Sequence, residues 1–308
     1  MQFQHKNLLG LQGLTKEEIT GILDVAETML PVVESKDKRL PLLQGKTVVT
    51  LFYENSTRTR TSFELAAKYL GATVSNIVAS TSSVQKGESL KDTGKTLDQM
   101  GTDAIVIRHP MSGAAHKLAE YVNASVLNAG DGLNEHPTQA LLDMLAMRTR
   151  FGRIEGLKVA IVGDVLHSRV ARSNLWGLTT MGASVTFAGP TTLLPEAFQK
   201  YGAAVTNDVR EAVTGADVVM ALRIQRERQK AGLIPSVGEY ARFFGINEEV
   251  LKLAKPGCVV MHPGPMNRNV EIDNATADAP HSLVERQVHC GVAVRMAVLS
   301  LLVGGNSK

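Results

Sequence analysis

Two periods alternate along this chain. Short, apolar, β-branched stretches such as Thr47-Val48-Val49-Thr50-Leu51-Phe52 have the character of buried strands. Strands of this kind are predicted over 46–52, 73–78, 103–107, 125–128, 158–162, 184–188, 217–221 and 258–261. Between them the apolar residues return every three or four positions, which predicts helices over 60–70, 90–100, 114–121, 137–150, 169–181, 196–201, 209–214, 250–254 and 282–303. A first helix is announced by a Thr15–Glu18 capping box, a Leu14–Ile19 staple and an apolar face of Ile19, Ile22, Leu23, Ala26 and Leu30. Pro31 is expected to end it.

Strand and helix in strict alternation imply parallel sheets covered by helices on both faces. The pattern breaks around 148–156 and then restarts. We therefore expect an α/β fold of two doubly wound, Rossmann-like parallel-sheet domains joined by interdomain helices. Their expected spans are 1–149 and 150–281, with a last helical segment, 282–308, packing back on the first. The 308 residues, 44% of them apolar, suffice for two cores.

Composition mainly excludes. A net charge of +3 without a long Lys/Arg block gives no reason to expect nucleic acid. The opening residues carry no signal-peptide core, and no apolar run is expected to cross a bilayer, so a cytoplasmic protein without a membrane partner is expected. Cys258 and Cys290 are too few and too far apart for a disulfide scaffold or a zinc pattern, and are expected to be packing residues.

In doubly wound sheets, ligands gather beyond the carboxyl ends of the strands, and the unusual polar residues cluster there. Ser56-Thr57-Arg58-Thr59-Arg60 lies between a strand and a helix, where free backbone N–H groups, hydroxyls and guanidinium forks suit a phosphate. An ordinary cap followed by two solvated arginines fits the segment alone equally well. Arg108 ends an apolar strand, a position that serves a ligand anion or opens into a solvated loop. His136-Pro137-Thr138-Gln139 places an imidazole and a carboxamide at one helix entrance. Ser82 through Glu88, with Lys86, is a polar loop that by composition would be solvated. Gly163-Asp164 and His167-Ser168-Arg169 form a strand–turn–helix, but without Gly-x-Gly-x-x-Gly a dinucleotide reading is weak. Arg169 and Arg223 could hold two carboxylates by bidentate bonds. His262-Pro263-Gly264-Pro265 fixes an unusual backbone path, either a rigid turn or one aiming bare carbonyls at a ligand.

Taken together, these segments resemble the aspartate/ornithine carbamoyltransferase family nearly end to end. Ser56 through Arg60 and His136 through Gln139 mark the family. Ser82 through Glu88, Arg223-x-Gln225-x-Glu227-Arg228 and His262-Pro263-x-Pro265 mark its aspartate branch, and the His-Cys-Leu-Pro segment expected of ornithine enzymes is missing. The resemblance implies a carbamoyl phosphate domain, an aspartate domain and a homotrimer with shared active sites and no metal or cofactor. It implies that Ser56, Thr57, Arg58, Thr59 and Arg108 hold the phosphate, with Ser82 and Lys86 entering from the adjacent subunit. Thr59, Arg108 and His136 would contact the carbonyl oxygen, and Gln139 with the carbonyls of Gly264 and Pro265 the amino group. Lys86, Arg169, Arg223 and Gln225 would hold aspartate, and Arg58, Thr59, Lys86, Arg108 and His136 would form the catalytic set. Gly264 stands where other members carry a larger apolar residue. Separate regulatory or dihydroorotase chains are further partners the resemblance leaves open. The alternatives are an ornithine or other amino-acid carbamoyltransferase, and a nonenzymatic binding protein on the same fold.

Overall fold

The computed structural model of the protein describes residues 4–78, 87–224, 232–234 and 236–304. The chain divides into two compact units, one of residues 1–145 and 289–308, the other of residues 146–288.

In the first unit, α1 (Lys16–Glu34) is capped by the expected Thr15–Glu18 box. The chain then alternates through β1 (Thr47–Phe52), α2 (Thr57–Tyr69), β2 (Thr73–Val78), α3 (Leu90–Gln99), β3 (Ala104–His109), α4 (Ala114–Ala119), β4 (Ser125–Asp131) and α5 (Pro137–Phe151). The four strands are parallel in the order β2-β1-β3-β4. Val49, Leu51, Ile105, Ile107 and Val126 point from the sheet into a core closed by Leu97, Leu118 and Val122.

The second unit contains β5 (Lys158–Val162), α6 (Arg169–Thr180), β6 (Ser184–Ala188), β7 (Ala204–Thr206), α7 (Val209–Val213), β8 (Val218–Ala221), α8 (Val237–Phe244), α9 (Glu248–Leu251), β9 (Val259–Met261) and α10 (Asn274–Ala277). Its five strands are parallel in the order β7-β6-β5-β8-β9. The final helix α11 (Val284–Val303), like α5, runs from one unit into the other. Two parallel-sheet α/β domains connected by helices is the expected architecture.

Both sheets anchor their strands by one device. Asp103, just before β3, accepts the Thr47 N–H at 2.8 Å and Lys46 Nζ at 3.1 Å. Asp217, just before β8, accepts the Lys158 N–H at 2.9 Å and Lys255 Nζ at 2.8 Å. A carboxylate that bonds backbone and ammonium together fixes where neighbouring strands begin, and hence where their far ends deliver side chains.

Several expected elements differ in the structure. Pro31 lies inside α1; the Ser35 N–H still bonds Pro31 O, and Val33 is buried, so the packed last turn outweighs the one bond proline removes. α2 starts at Thr57 rather than residue 60, which brings Thr57 through Arg60 into its first turn. Residues 196–201 form a 3₁₀ helix, and the helix expected over 250–254 is α9, begun earlier by the Asn247 cap. β7, α8 and α10 were not expected. α11, at 20 residues, is also long and apolar enough to cross a membrane, contrary to the expectation that no such run exists. Two thirds of that stretch, 67%, is buried inside the protein, as in a core helix.

Candidate active site

In the first sheet the strand order reverses between β1 and β3, which opens a crevice at their carboxyl ends. Phe52 and Arg108 are paired across that point. β1 leads directly into the Ser56 loop, and β3 ends in Arg108. The first turn of α2 contains no acidic residue, and Ser56 at its N-cap makes no side-chain capping bond. The opening N–H groups of any helix have no carbonyl one turn earlier to bond, and an anion is their natural complement. Thr59 is buried in this turn and Arg58 is exposed.

Arg108 is held on two sides. Nη1 donates to Ala129 O at 3.1 Å, and Nε lies 3.4 Å from Glu54 Oε2. With 15% of its side chain exposed, the guanidinium is fixed before any ligand arrives. Glu54 was not singled out in the sequence; only its place between β1 and the serine loop hints at this role. The neighbouring His109 ring lies 4.5 Å from the Tyr53 ring, tilted 55° to it. Burial holds its pKa below the ordinary histidine value, against the opposing pull of Glu54 and Asp131.

His136 and Gln139 come together at the entrance of α5, both buried. The preceding loop is pinned by carboxylates. Asp131 accepts from the Gly113 N–H at 2.6 Å, Asn128 Nδ2 at 2.7 Å and the Glu135 N–H at 3.2 Å. Glu135 accepts the N–H groups of Leu11 and Gln12. Gly132, at φ 49°, has no room for a Cβ, which would lie 2.5 Å from Ser112 N. Gln139 Nε2 donates to Asp143 Oδ1 at 2.9 Å, one turn along the same helix.

In the second sheet the reversal falls between β5 and β8. Gly163, Asp164 and Arg169 follow β5, and Arg223 follows β8. Asp164 is fully buried and binds both the backbone N–H of His167, at 3.1 Å, and its Nδ1, at 2.9 Å. Arg172 donates to Leu166 O and Ser168 O while lying 5.4 Å over the Phe198 ring. Burial lowers its pKa, with Asp164 pulling the other way. The loop leading to the buried Arg169 is thereby fixed from both sides. Arg223 is half-buried just beyond the ladder bond from the Leu222 N–H to Val162 O. Farther along, His262 Nδ1 accepts the Gly264 N–H at 2.8 Å, and the Gly264–Pro265 peptide is cis.

The structure thus brings Ser56, Thr57, Arg58, Thr59 and Arg108 to one switch point, with His136 and Gln139 at the α5 entrance of the same unit. Arg169 and Arg223 flank the corresponding point of the other unit. Ser82, Lys86 and Gln225 lie outside the described residues. Among the described residues no three His, Cys, Asp or Glu side chains are grouped to hold a metal ion.

Two α/β units with arginines at their switch points are suited to small anionic ligands. Residues 6–149 match the carbamoyl-P binding domain of the aspartate/ornithine carbamoyltransferases, and residues 155–302 match their Asp/Orn binding domain. The chain belongs to the aspartate/ornithine carbamoyltransferase family. It is 60% identical over 302 residues to the aspartate carbamoyltransferase catalytic subunit of Ruminiclostridium cellulolyticum, covering 98% of this chain and 96% of that one. The catalytic subunit from Acetivibrio thermocellus is 59% identical over 307 residues, covering 100% of this chain and 98% of that one. Among solved structures, aspartate transcarbamoylase from Trypanosoma cruzi in complex with carbamoyl phosphate superposes with a TM-score of 0.87 at 30% identity, covering 96% of each chain. Ornithine carbamoyltransferase from Pyrococcus furiosus gives 0.88 at 30% identity, covering 100% of each. Fold similarity therefore does not separate the two acceptors, whereas sequence similarity falls on the aspartate side.

Proposed function

We propose that this protein is an enzyme that transfers the carbamoyl group of carbamoyl phosphate to the α-amine of L-aspartate. The products are N-carbamoyl-L-aspartate and phosphate, as in de novo pyrimidine synthesis. The observation that carries this reading is identity near 60% to aspartate carbamoyltransferase catalytic subunits over almost the whole chain.

The first unit binds carbamoyl phosphate. Ser56, Thr57, Arg58, Thr59 and Arg108 take the phosphate, joined by Ser82 and Lys86 of an adjacent copy. Thr59, Arg108 and His136 surround the carbonyl oxygen, where negative charge grows as the amine adds. Donors already fixed around that oxygen stabilise the tetrahedral state without reorganising during the reaction. The Glu54 ion pair and the Ala129 bond fix Arg108 in this way. Gln139, with the carbonyls of Gly264 and Pro265, takes the amino group.

The second unit binds aspartate through Arg169, Arg223 and Gln225, with Lys86; two guanidinium groups match its two carboxylates. The amine nitrogen forms a bond to the carbamoyl carbon, the bond from that carbon to the phosphate oxygen breaks, and the departing phosphate takes the proton the amine loses. Direct transfer is supported by the cysteines: burial pushes the Cys258 thiol up to about 12, and Cys290 is fully buried. The working form is a cytoplasmic homotrimer.

The reading is tested by supplying carbamoyl phosphate with aspartate, ornithine or other amines to chelator-treated protein. Carbamoyl-aspartate should form without added metal. Preference for ornithine, or activity appearing only with zinc, would refute it.

A further inference from the structure

The buried surroundings of Gln139 give its amide a direction. Its Nε2 donates to Asp143 Oδ1 at 2.9 Å, and Asp143 is completely shielded from solvent. Behind it lies a second buried charge, Arg295 on α11. Nη1 of Arg295 donates to Gly291 O at 2.8 Å and to Ser62 Oγ at 3.1 Å, and its guanidinium lies 5.0 Å over the Phe63 ring. Burial draws the Arg295 pKa down to about 10 while the Asp143 carboxylate opposes the fall, so the guanidinium stays charged at neutral pH. The two buried charges interact electrostatically, and a buried guanidinium stabilises a buried carboxylate as its counter-charge.

An ionised carboxylate only accepts. The end of Gln139 that meets Asp143 must then be the –NH2; a flipped amide would set two oxygens against each other. Oε1 consequently turns away from Asp143, and no donor among the described residues engages it. A ligand reaching Gln139 meets an acceptor.

We propose that Asp143, backed by Arg295, is a positioning residue that locks the Gln139 amide with Oε1 toward the ligand, and so selects a carbamoyl –NH2 over groups of the same shape that cannot donate. The inference rests on the proposed reaction and names what sets its donor specificity. Acetyl phosphate is the natural probe, because it keeps the phosphate and carbonyl and replaces –NH2 by –CH3. A site built to hydrogen-bond a polar group rejects the analogue lacking it far more strongly than shape alone would.

The wild-type protein is assayed first; absence of carbamoyl transfer to aspartate would defeat the proposed function without bearing on the amide. In Asp143→Asn the neighbour can donate as well as accept, and Gln139 is free to flip. The KM for carbamoyl phosphate should rise on the order of tenfold. Inhibition by acetyl phosphate should change much less, so that selectivity between the two collapses. The double variant Asp143→Asn/Arg295→Met, which leaves no unpaired buried charge, should behave alike. Equal weakening of both ligands would mark Asp143 as merely structural and overturn the proposal, as would no change in either. A wild-type measurement stands apart from variant folding: the Gln139 side-chain amide protons, observed in ¹⁵N-labelled protein, should exchange slowly with solvent in the absence of ligand. Exchange at the rate of a free amide would also overturn it.

Discussion

His262 and Glu271 face each other in the interior of the second unit, with Nε2 3.2 Å from Oε1 and almost no exposed surface on either side chain. Because Nδ1 of the same ring accepts the Gly264 N–H, the ring proton sits on Nε2 and is donated to Glu271. The same Glu271 oxygen accepts the Asn267 N–H at 2.6 Å. One carboxylate oxygen therefore ties both ends of the segment 262–267, whose Gly264 and Pro265 carbonyls are assigned to the ligand. The Gln287 side chain adds a further tie, accepting the His262 N–H at 2.9 Å.

Glu271→Ala leaves the His262 ring and the Asn267 N–H without their acceptor inside the protein. The expected loss is about 2–4 kcal/mol of stability, read from urea unfolding, with a raised KM for carbamoyl phosphate. Glu271→Gln keeps an acceptor of nearly the same shape and should lose less. A Glu271→Ala protein as stable as the parent would show that this pair does not hold the turn.

Much of the fold was legible because buried parallel strands have little freedom of composition. β2, β5 and β6 fall where their β-branched runs place them, and helices with a capping residue ahead of an apolar face, such as α1 and α3, begin where expected. What escaped is short or polar. β7 has three residues and α10 four, too few to establish a period. The first turn of α2, Thr57 through Arg60, has no apolar residue to mark it as helix, only hydroxyls and guanidinium groups. Motif residues were likewise visible in the sequence, but Glu54 and Asp143, which hold Arg108 and Gln139, were not. Asp143 could have been found from its position four residues after Gln139, since such residues share a helix face. Glu54 meets Arg108 only once β1 and β3 are side by side.

Asp217 should make a pH-dependent contribution to stability. Its partial burial raises the carboxyl pKa, but Lys255 and the Lys158 N–H outweigh this and hold it below the usual value. A folded-state pKa below the unfolded one means stabilisation is fully present above the ordinary aspartate range. It is lost as pH falls through the lowered folded value. Asp217→Asn should therefore be less stable than the parent at pH 7, with the gap closing on acidification below about pH 4. Urea midpoints measured at several pH values check this; a gap constant across the range would mean the Asp217 charge contributes nothing.

Neither cysteine should take part in catalysis. Burial raises the Cys258 thiol pKa to about 12, with the Asp217 charge adding to the effect, so almost no thiolate exists near neutrality. Cys290 is fully buried. A disulfide reagent at pH 8 should label the native protein slowly and leave carbamoyl transfer intact, then label both thiols once urea unfolds the chain. Rapid inactivation by the reagent would point to a thiol in the reaction.

The assigned anion sites predict separable losses. Arg58→Ala should weaken carbamoyl phosphate binding, and Arg223→Ala should mainly weaken the use of aspartate. Each removes a charged hydrogen-bond donor to a different anion, at a cost of about 2–4 kcal/mol. Initial rates with each substrate varied in turn separate the two; equal loss for both substrates in both variants would contradict the assignment.

Sharing of the site between copies can be tested even though Lys86 lies outside the described residues. Lys86 is remote in sequence from Ser56 through Arg60, and a closed ring of identical chains would repeat the same heterologous contact at every site. Lys86→Ala and Arg58→Ala proteins should each be nearly inactive, since on the proposed assignment each lacks one phosphate-binding cation at all of its sites. Mixed rings assembled from the two after joint unfolding contain some sites built from the intact half of each chain. Activity should then return in the mixture and in neither parent treated alone. If mass measurement confirms hybrid rings and no activity returns, Lys86 serves the site of its own chain.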